Sequence, residues 1–430
     1  MVTVVSVLFG CIAFFLAVGV PIGISIGAAT AISLLANTSM PLTFLAQNAF
    51  TALDSFPMLA VPLFILSGSL MGYGGISKRL VAFANALVGF ISGGLAMVTV
   101  LACMFFSAIS GSSVATASAI GGFMIPEMKN NKYDGDFAAA LTAAGACLGV
   151  IIPPSISFVI YGVMTGASIG ELFTAGIIPG IILGLGLMVV GYFICRKRDY
   201  QPKSEKGVSL KDIFVTGKDA FWAIMVPIII LGGIYGGIFT PTEAAGVSVI
   251  YSIVIGVFVY KELTFKLMYQ SMQESALVTG AVTFMMGLSM SFAKYLTVAG
   301  VPTYLSTSML NLTSNAVIIL ILINVFLLIV GCFIDNISAA IILVPIMLPI
   351  IQSLGVDVVH FGVITTIALS IGFITPPYGP TLFVASACSG EKIEAISRQV
   401  MPFFLVLVAL LFVITFMPSL SLGLVHFIYD

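Results

Sequence analysis

Gly372-Phe373-Ile374-Thr375-Pro376-Pro377-Tyr378 breaks a helix in the middle of sequence oily enough to sit in a bilayer, from Ala368 to Ala387. Two consecutive prolines remove two backbone donors, and each turns the residue before it away from the α conformation. Lipid cannot satisfy the carbonyls this frees, so such a break survives only inside protein or against a polar cavity. Gly149-Val150-Ile151-Ile152-Pro153-Pro154-Ser155 has the same shape, 223 residues earlier. Paired broken segments at matching positions of two halves point to the binding site of a transporter.

The chain around these breaks has 430 residues, 60% hydrophobic and 8% charged, with a mean hydropathy of +1.20. Its apolar runs are continuous and near the roughly 20 residues of a spanning helix, unlike the alternating strands of a porin. The fold class is therefore an all-α polytopic membrane protein. A net charge of −1 carries no information about partners when so few charges exist. No basic patch with interleaved aromatics supports nucleic-acid binding. Six scattered cysteines (Cys11, Cys103, Cys147, Cys195, Cys332 and Cys388) form no CxxC pair and read as small buried hydrophobes. Residues 1–20 lack a basic n-region and read as a first membrane helix, not a removed signal.

Apolar segments are expected near 2–20, 21–36, 57–74, 92–128, 135–165 and 172–195, then 222–239, 243–260, 275–293, 316–352, 358–388 and 400–420. Short amphipathic pieces near 41–52, 78–88, 262–272 and 303–312 suit the interface. The polar stretch Arg196–Asp219 reads as a solvated linker holding seven of the sixteen Lys/Arg, which places it in the cytoplasm. At the offset of 223, Pro126 falls on Pro349, Gly149 on Gly372, Pro153-Pro154 on Pro376-Pro377 and Pro179 on Pro402. Segments 92–128 and 316–352 are too long for one span, and each has a polar centre: Ser110-Gly111-Ser112-Ser113 with Thr116, and Asp335-Asn336-Ile337-Ser338. Both read as re-entrant hairpins. Each half then holds an odd number of full spans, five, plus one hairpin, so the halves are inverted. The same count puts all Lys/Arg but Lys294 in the cytoplasm and both termini outside.

A hairpin tip facing an unwound helix makes a small polar box near the midplane, where exposed carbonyls and hydroxyls suit a cation such as Na⁺. The first box combines Ser110, Ser112 and Ser113, with Thr116, and the carbonyls of Gly149 and Ile152. The second combines Asp335, Asn336 and Ser338 with Gly372 and Thr375. A substrate is expected between them, against Ser112, Ser113, Ser155, Thr375, Tyr378 and Thr381. Close helix packing is the competing explanation of a single Ser, the weaker of the two, and it explains the doubled constellation less readily still. Asp335 is the sharpest residue, since a carboxylate within a membrane segment is functional by default. Asp54 suits capping as well as function, Glu127 reads as a partner of Lys129, and Glu243 reads as a helix cap. Enzyme readings find no support: His360 and His426 have no evident catalytic partner, and no P-loop or metal-ligand spacing is present.

The run Gly232-Gly233-Ile234-Tyr235-Gly236-Gly237-Ile238-Phe239-Thr240-Pro241-Thr242-Glu243-Ala244-Ala245 resembles the signature of the large membrane subunit of TRAP (tripartite ATP-independent periplasmic) transporters. Phe56-Pro57, Pro62-Leu63-Phe64-Ile65-Leu66-Ser67-Gly68, Phe106–Thr116 and the two Pro-Pro breaks are similar to it as well, and the likeness covers essentially the whole chain. The resemblance implies a bacterial inner-membrane transporter, coupled to Na⁺, that works with a separate small four-helix membrane subunit and a periplasmic substrate-binding protein. It also implies a fold like that of divalent-anion:Na⁺ symporters, with an elevator mechanism. On that pattern 1–91 and 222–315 are scaffold, and 92–171 and 316–399 are the moving body. Residues 172–221 form a closing helix and linker, and 400–430 a C-terminal helix. The implied cargo is an organic acid, sialic acid or a C4-dicarboxylate. A stand-alone anion:Na⁺ symporter, needing no binding protein, is the alternative; a gated channel would show conductance without Na⁺ coupling.

Overall fold

The computed structural model describes residues 2–37, 40–200, 210–301, 315–376 and 379–429, and among these only helices, turns and loops occur. Seven of the described helices are long and apolar enough to cross a membrane. Large apolar side chains such as Phe14, Phe258 and Leu277 stand exposed on the outside, as lipid-facing residues must.

The first half opens with Val2–Ala17 packed on Ile22–Asn37, followed by the short helix Thr43–Leu53. Asp54 ends that helix by its backbone N–H on the Phe50 carbonyl (3.0 Å). Pro57 then starts a 3₁₀ turn, Phe56–Leu59, that runs into Ala60–Tyr73. Gly75, at φ 77°, opens the amphipathic Ile76–Val88 helix. Its Lys78 and Arg79 both pair with Glu262, and the Arg79 guanidinium lies 3.7 Å from the Tyr260 ring centre. The first hairpin, Gly94–Ser110 and Ser113–Asn130, follows. Next come the broken span, Gly135–Ala146 with a 3₁₀ end at Cys147–Val150, then Ile156–Thr165, and the long Ile169–Lys197 helix.

The second half runs Leu210–Tyr235, Pro241–Val254 with a π turn at Ile255–Val259, and Phe265–Val298. The second hairpin is Ala316–Gly331 with Asn336–Ser353, and the second broken span is Val358–Gly372 with Pro380–Ser389. Glu243 does cap its helix: Thr240 and Glu243 close a reciprocal capping box in front of Pro241. Thr240→Ala is expected to lower stability by about 1 kcal/mol, read as a melting shift in detergent.

Four expectations need correction. The interfacial piece at 262–272 and the span at 275–293 are one continuous helix of 34 residues, roughly 51 Å long at 1.5 Å per residue. Where Pro57 breaks the corresponding part of the first half, no proline lies within Phe265–Val298. Within its polar run Ser271 and Ser275 are buried, Ser271 Oγ donating to Ser69 Oγ (2.9 Å), while Gln270 and Tyr73 both donate to exposed Glu274.

The stretch 196–219 is more than a solvated linker. Arg196 and Lys197 belong to the preceding helix, and the next helix starts at Leu210. Between them, Arg198 and Tyr200 both grip Asp134, at 2.9 and 2.6 Å. Burial, and next this hydrogen bond, push the Tyr200 phenol above its ordinary pKa.

The segment near 400–420 is two helices, Ile393–Phe416 and Ser419–Tyr429, separated at Met417-Pro418. Buried His360 ties them to the second broken span, meeting Ser421 Oγ (2.6 Å) and the Thr415 carbonyl (3.2 Å). Lys129 pairs with Glu391 (3.1 Å), while Glu127 accepts from Asn131 (3.3 Å). The amphipathic piece expected near 303–312 lies outside the described residues.

Cys147 and Ser370 are one repeat offset apart, and they touch. Ser370 Oγ donates to the Cys147 carbonyl (2.6 Å), and Cys147 Sγ donates to the Ser370 carbonyl (3.1 Å). Reciprocal contact between equivalent positions is the mark of a two-fold axis. The contact falls between the two broken spans, just before each break. It is what an inverted repeat requires.

Candidate ion and substrate site

At the first tip, Gly111 takes φ 61° and ends Gly94–Ser110, and Ser112 caps the next helix by accepting from Ala115 N–H. A left-handed turn of this kind favours glycine. Ser110 Oγ and Thr116 Oγ1 lie 3.0 Å apart, and Thr116 Oγ1 donates to the Ser112 carbonyl (2.9 Å). Ser113 Oγ donates to the Cys147 carbonyl (3.4 Å). The tip lies directly on the first break: Ile156 N–H donates to the Gly111 carbonyl (3.4 Å). A Cβ at Gly149 would fall 2.6 Å from the Ser112 carbonyl oxygen. Ser110, Ser112, Ser113 and Gly149 are thus brought together. The Ile152 side chain points elsewhere, into the space above Gly180 of the Ile169–Lys197 helix.

At the second tip, Asp335 caps Asn336–Ser353 by accepting from Ser338 N–H (2.9 Å) and also accepts from Ser338 Oγ. Ser338 Oγ further lies 2.8 Å from Met285 Sδ of the long Phe265–Val298 helix. Asn336 Nδ2 donates to the Thr366 carbonyl (3.4 Å). Gly372 meets Gly331, the end of the hairpin's first arm, so closely that a Cβ on Gly372 would lie 2.4 Å from the Gly331 Cα. Thr375 Oγ1 donates to the Ile371 carbonyl (3.0 Å).

Each break is bridged by a hydroxyl from the helix beyond it. Ser155 Oγ donates to the Val150 carbonyl (2.5 Å), and Thr381 Oγ1 to the Phe373 carbonyl (2.8 Å). Val150 and Phe373 are again one repeat offset apart. These are carbonyls that the prolines deprive of helical donors, and buried hydroxyls supply what lipid cannot. Ser155 and Thr381, expected to touch substrate, are therefore engaged inside the breaks. Ser155→Ala is expected to cost about 1–3 kcal/mol by leaving the Val150 carbonyl unpaired, measured as a drop in melting temperature. Tyr378, and Pro377 before it, lie outside the described residues.

Both tips open into one cavity of about 640 Å³. Ser110–Ser113 line one side and Asp335–Ile337 another, with Val150, Ile156, Ser157 and Phe373 from the broken spans. Ser69, Gly72 and Tyr73 of Ala60–Tyr73 and Glu274 and Ser275 of the long helix complete it. Ser155, Thr375 and Thr381 do not line this wall. Three residues of this wall carry an oxygen that is buried without a hydrogen-bond partner: Ser157 Oγ, Ser275 Oγ and Asn336 Oδ1. Such orphans are rare in folded proteins. Ser157, Glu274 and Ser275 were not among the expected site residues. Glu274-Ser275 falls at the seam between two segments that hydropathy separates, and Ser157 looks like ordinary helix interior. Among the described residues, no group of three or more His, Cys, Asp or Glu gathers. The cavity instead offers hydroxyls, an amide and the carboxylates of Asp335 and Glu274, hard oxygens suited to an alkali cation.

Residues 9–420 match the family described as "Tripartite ATP-independent periplasmic transporter, DctM component". The isethionate TRAP transporter permease protein DctMQ of Oleidesulfovibrio alaskensis is 45% identical over 97% of this chain, which spans 65% of that protein's length. The C4-dicarboxylate TRAP transporter large permease protein DctM of Pseudomonas aeruginosa is 39% identical over 93% of each chain. The sialic acid TRAP transporter large permease protein SiaM of Vibrio cholerae is 38% identical over 97% of each. In fold, the chain is similar to the Alcanivorax borkumensis YdaH transporter, with a TM-score of 0.64, 14% identity, and coverage of 89% of this chain and 90% of that one. An all-α membrane chain with doubled hairpins and breaks around one polar cavity, matched along nearly its whole length, belongs to the DctM family of TRAP transporter large permeases.

Proposed function

We propose that this permease takes up an organic acid by coupling it to Na⁺, receiving it from a periplasmic binding protein and working beside a small membrane subunit. The observation that carries this reading is the meeting of two hairpin tips, from the two repeated halves, in one polar cavity. Na⁺ is held at the first tip by Ser110, Ser112, Ser113 and carbonyls around Gly149 and Ile152. A second Na⁺ is held by Asp335, Asn336, Ser338 and carbonyls around Gly372 and Thr375. Exposed peptide and hydroxyl oxygens at such breaks are suited to the task. The substrate sits between the tips. Relatives named for isethionate, C4-dicarboxylates and sialic acid share a small organic anion as cargo, so sialic acid and a C4-dicarboxylate stand beside a sulfonate.

In this reading the hairpins and broken spans, 92–171 and 316–399, move as one body against a scaffold of 1–91 and 222–315. With the basic residues in the cytoplasm of a bacterial inner membrane, both termini face the periplasm. The cavity then lies toward the cytoplasmic end, where Tyr73 and Glu274 stand near Lys78 and Lys266 in sequence. The test is uptake into proteoliposomes holding both membrane subunits, with the cognate binding protein outside. Uptake should require an inward Na⁺ gradient and the binding protein together. Equal uptake of free substrate without the binding protein would favour a stand-alone symporter, and uptake indifferent to Na⁺ would reject the coupling.

A further inference from the structure

A second cavity, of about 870 Å³, shares no residue with the one at the hairpin tips. It lies between the Ile76–Val88 and Leu210–Tyr235 helices and the π turn Ile255–Val259, with Arg79, Phe214, Lys218, Phe221, Trp222 and Tyr260 among its walls. Leu210–Tyr235 has 26 residues, roughly 39 Å at 1.5 Å per residue, and so outruns the roughly 30 Å of a hydrocarbon core. Its charges, Lys211, Asp212, Lys218 and Asp219, all precede Ala220, and the chain's single Trp follows at 222. That end of the helix suits the headgroup layer, where Trp and Tyr collect. Lys211, Phe214, Lys218 and Phe221 recur there at helical spacing, so that cations alternate with rings along one face. Phe214 is 75% exposed, and Phe221 and Trp222 are exposed as well.

Arg79 is held in one orientation. Its Nη1 donates to the Gly75 carbonyl and to Glu262, both at 2.8 Å, and its guanidinium lies over the Tyr260 ring. Tyr260 is fixed in turn, its Oη donating to the Asp219 carbonyl (3.0 Å). Among the described residues no hydrogen bond uses Arg79 Nε or Nη2, and neither nitrogen is sealed from solvent. A fixed guanidinium fork thus keeps donors in hand on the cavity wall. Lys218 forms no ion pair among the described residues. On these segments five cations, Lys78, Arg79, Lys211, Lys218 and Lys261, stand against three carboxylates, Asp212, Asp219 and Glu262. The surplus is positive.

We propose that this cavity holds an anionic phospholipid of the cytoplasmic leaflet, its phosphate between Arg79 and Lys218 and its acyl chains along Phe214, Phe221 and Trp222. An Arg fork suits phosphate oxygens two at a time, and a Lys adds a point charge. Basic pockets between helices on the cytoplasmic side are suited to anionic headgroups. A soluble phosphate would leave the exposed rings bare, and a zwitterionic lipid would leave the positive surplus unanswered. The inference rests on the transport reading above only for the leaflet, which follows from placing the basic residues in the cytoplasm.

The test is native mass spectrometry of the delipidated two-subunit membrane complex, offered equal amounts of phosphatidylglycerol and phosphatidylcholine. The parent should retain phosphatidylglycerol in preference. Lys218→Ala should lower that preference about fivefold, and Lys218→Arg should keep it. Arg79→Lys, which keeps the charge and loses the fork, should lower it too. Lys392→Ala, an exposed lysine on another element, should leave it unchanged. Glycerol 3-phosphate should not displace the lipid, and a photo-crosslinker at position 214 should capture lipid. No preference in the parent overturns the proposal, as does one that both Lys218→Ala and Arg79→Lys leave intact or that Lys392→Ala lowers equally. Displacement by glycerol 3-phosphate would make this a soluble-phosphate site, and capture of the small subunit at position 214 would make it a subunit interface; either overturns the lipid. The readout uses neither substrate nor Na⁺, so this proposal and the transport reading fail separately.

Discussion

Gly372→Ala is expected to cost about 3 kcal/mol and to leave little uptake. The added Cβ would lie 2.4 Å from both the Cα and the carbonyl carbon of Gly331, and 2.7 Å from its oxygen. Those atoms are backbone, so no side chain can swing aside. Gly331 is equally confined, since a Cβ on it would meet the Leu369 carbonyl at 2.8 Å. The hairpin arm and the broken span would have to separate just where the second cation site is proposed to lie. A detergent melt together with Na⁺-driven uptake reads both consequences. Gly122→Ala serves as the comparison, because nothing lies within 4 Å of a Cβ there, and alanine in a helix gains about 0.5–1 kcal/mol over glycine. A Gly372→Ala protein that melts and transports like the parent would show that the two segments do not need this contact.

Asp335→Asn separates capping from ion binding. Asparagine caps a helix about as well as aspartate, so the acceptor for Ser338 N–H remains and the melting temperature should move little. What disappears is the negative charge at the hairpin tip. The Na⁺ concentration for half-maximal uptake should rise on the order of tenfold, because losing a charge-assisted contact costs about 1–2 kcal/mol more than a neutral one. Ser112→Ala should weaken the Na⁺ dependence as well, through the other tip. An unchanged Na⁺ requirement in Asp335→Asn would remove Asp335 from the ion site and leave it a cap.

The breaks and hairpins were legible in the sequence because their cause is local. Pro153-Pro154 and Pro376-Pro377 cannot continue a helix, and Ser110–Ser113 and Asp335–Ser338 are too polar for the middle of a span. The continuity of Phe265–Val298 was not legible. Hydropathy averaged over Gln270, Ser271, Gln273, Glu274 and Ser275 drops as it would at an interface, although Ser271 and Glu274 bond to Ser69 and Tyr73 of a neighbouring helix. A window average cannot tell polar residues facing water from polar residues facing protein. The roles of Ser155 and Thr381 stayed hidden for a related reason. A hydroxyl beside a double proline looks available for a ligand until the fold shows the freed carbonyl it already serves. Ser157 and Ser275, 118 positions apart in the chain, become neighbours of one cavity only through packing that no local pattern announces.

The paired bonds between Cys147 and Ser370 bear on how such a chain can change shape. A residue that holds its own counterpart, and is held by it in return, works as a latch fastened from both sides. Sliding one kinked rod past the other would undo both fastenings together, in a setting where no solvent waits to replace them. If the hairpins and broken spans move as proposed, these two rods travel in step, and a cargo lodged between the folded-back loops is carried with both of its walls.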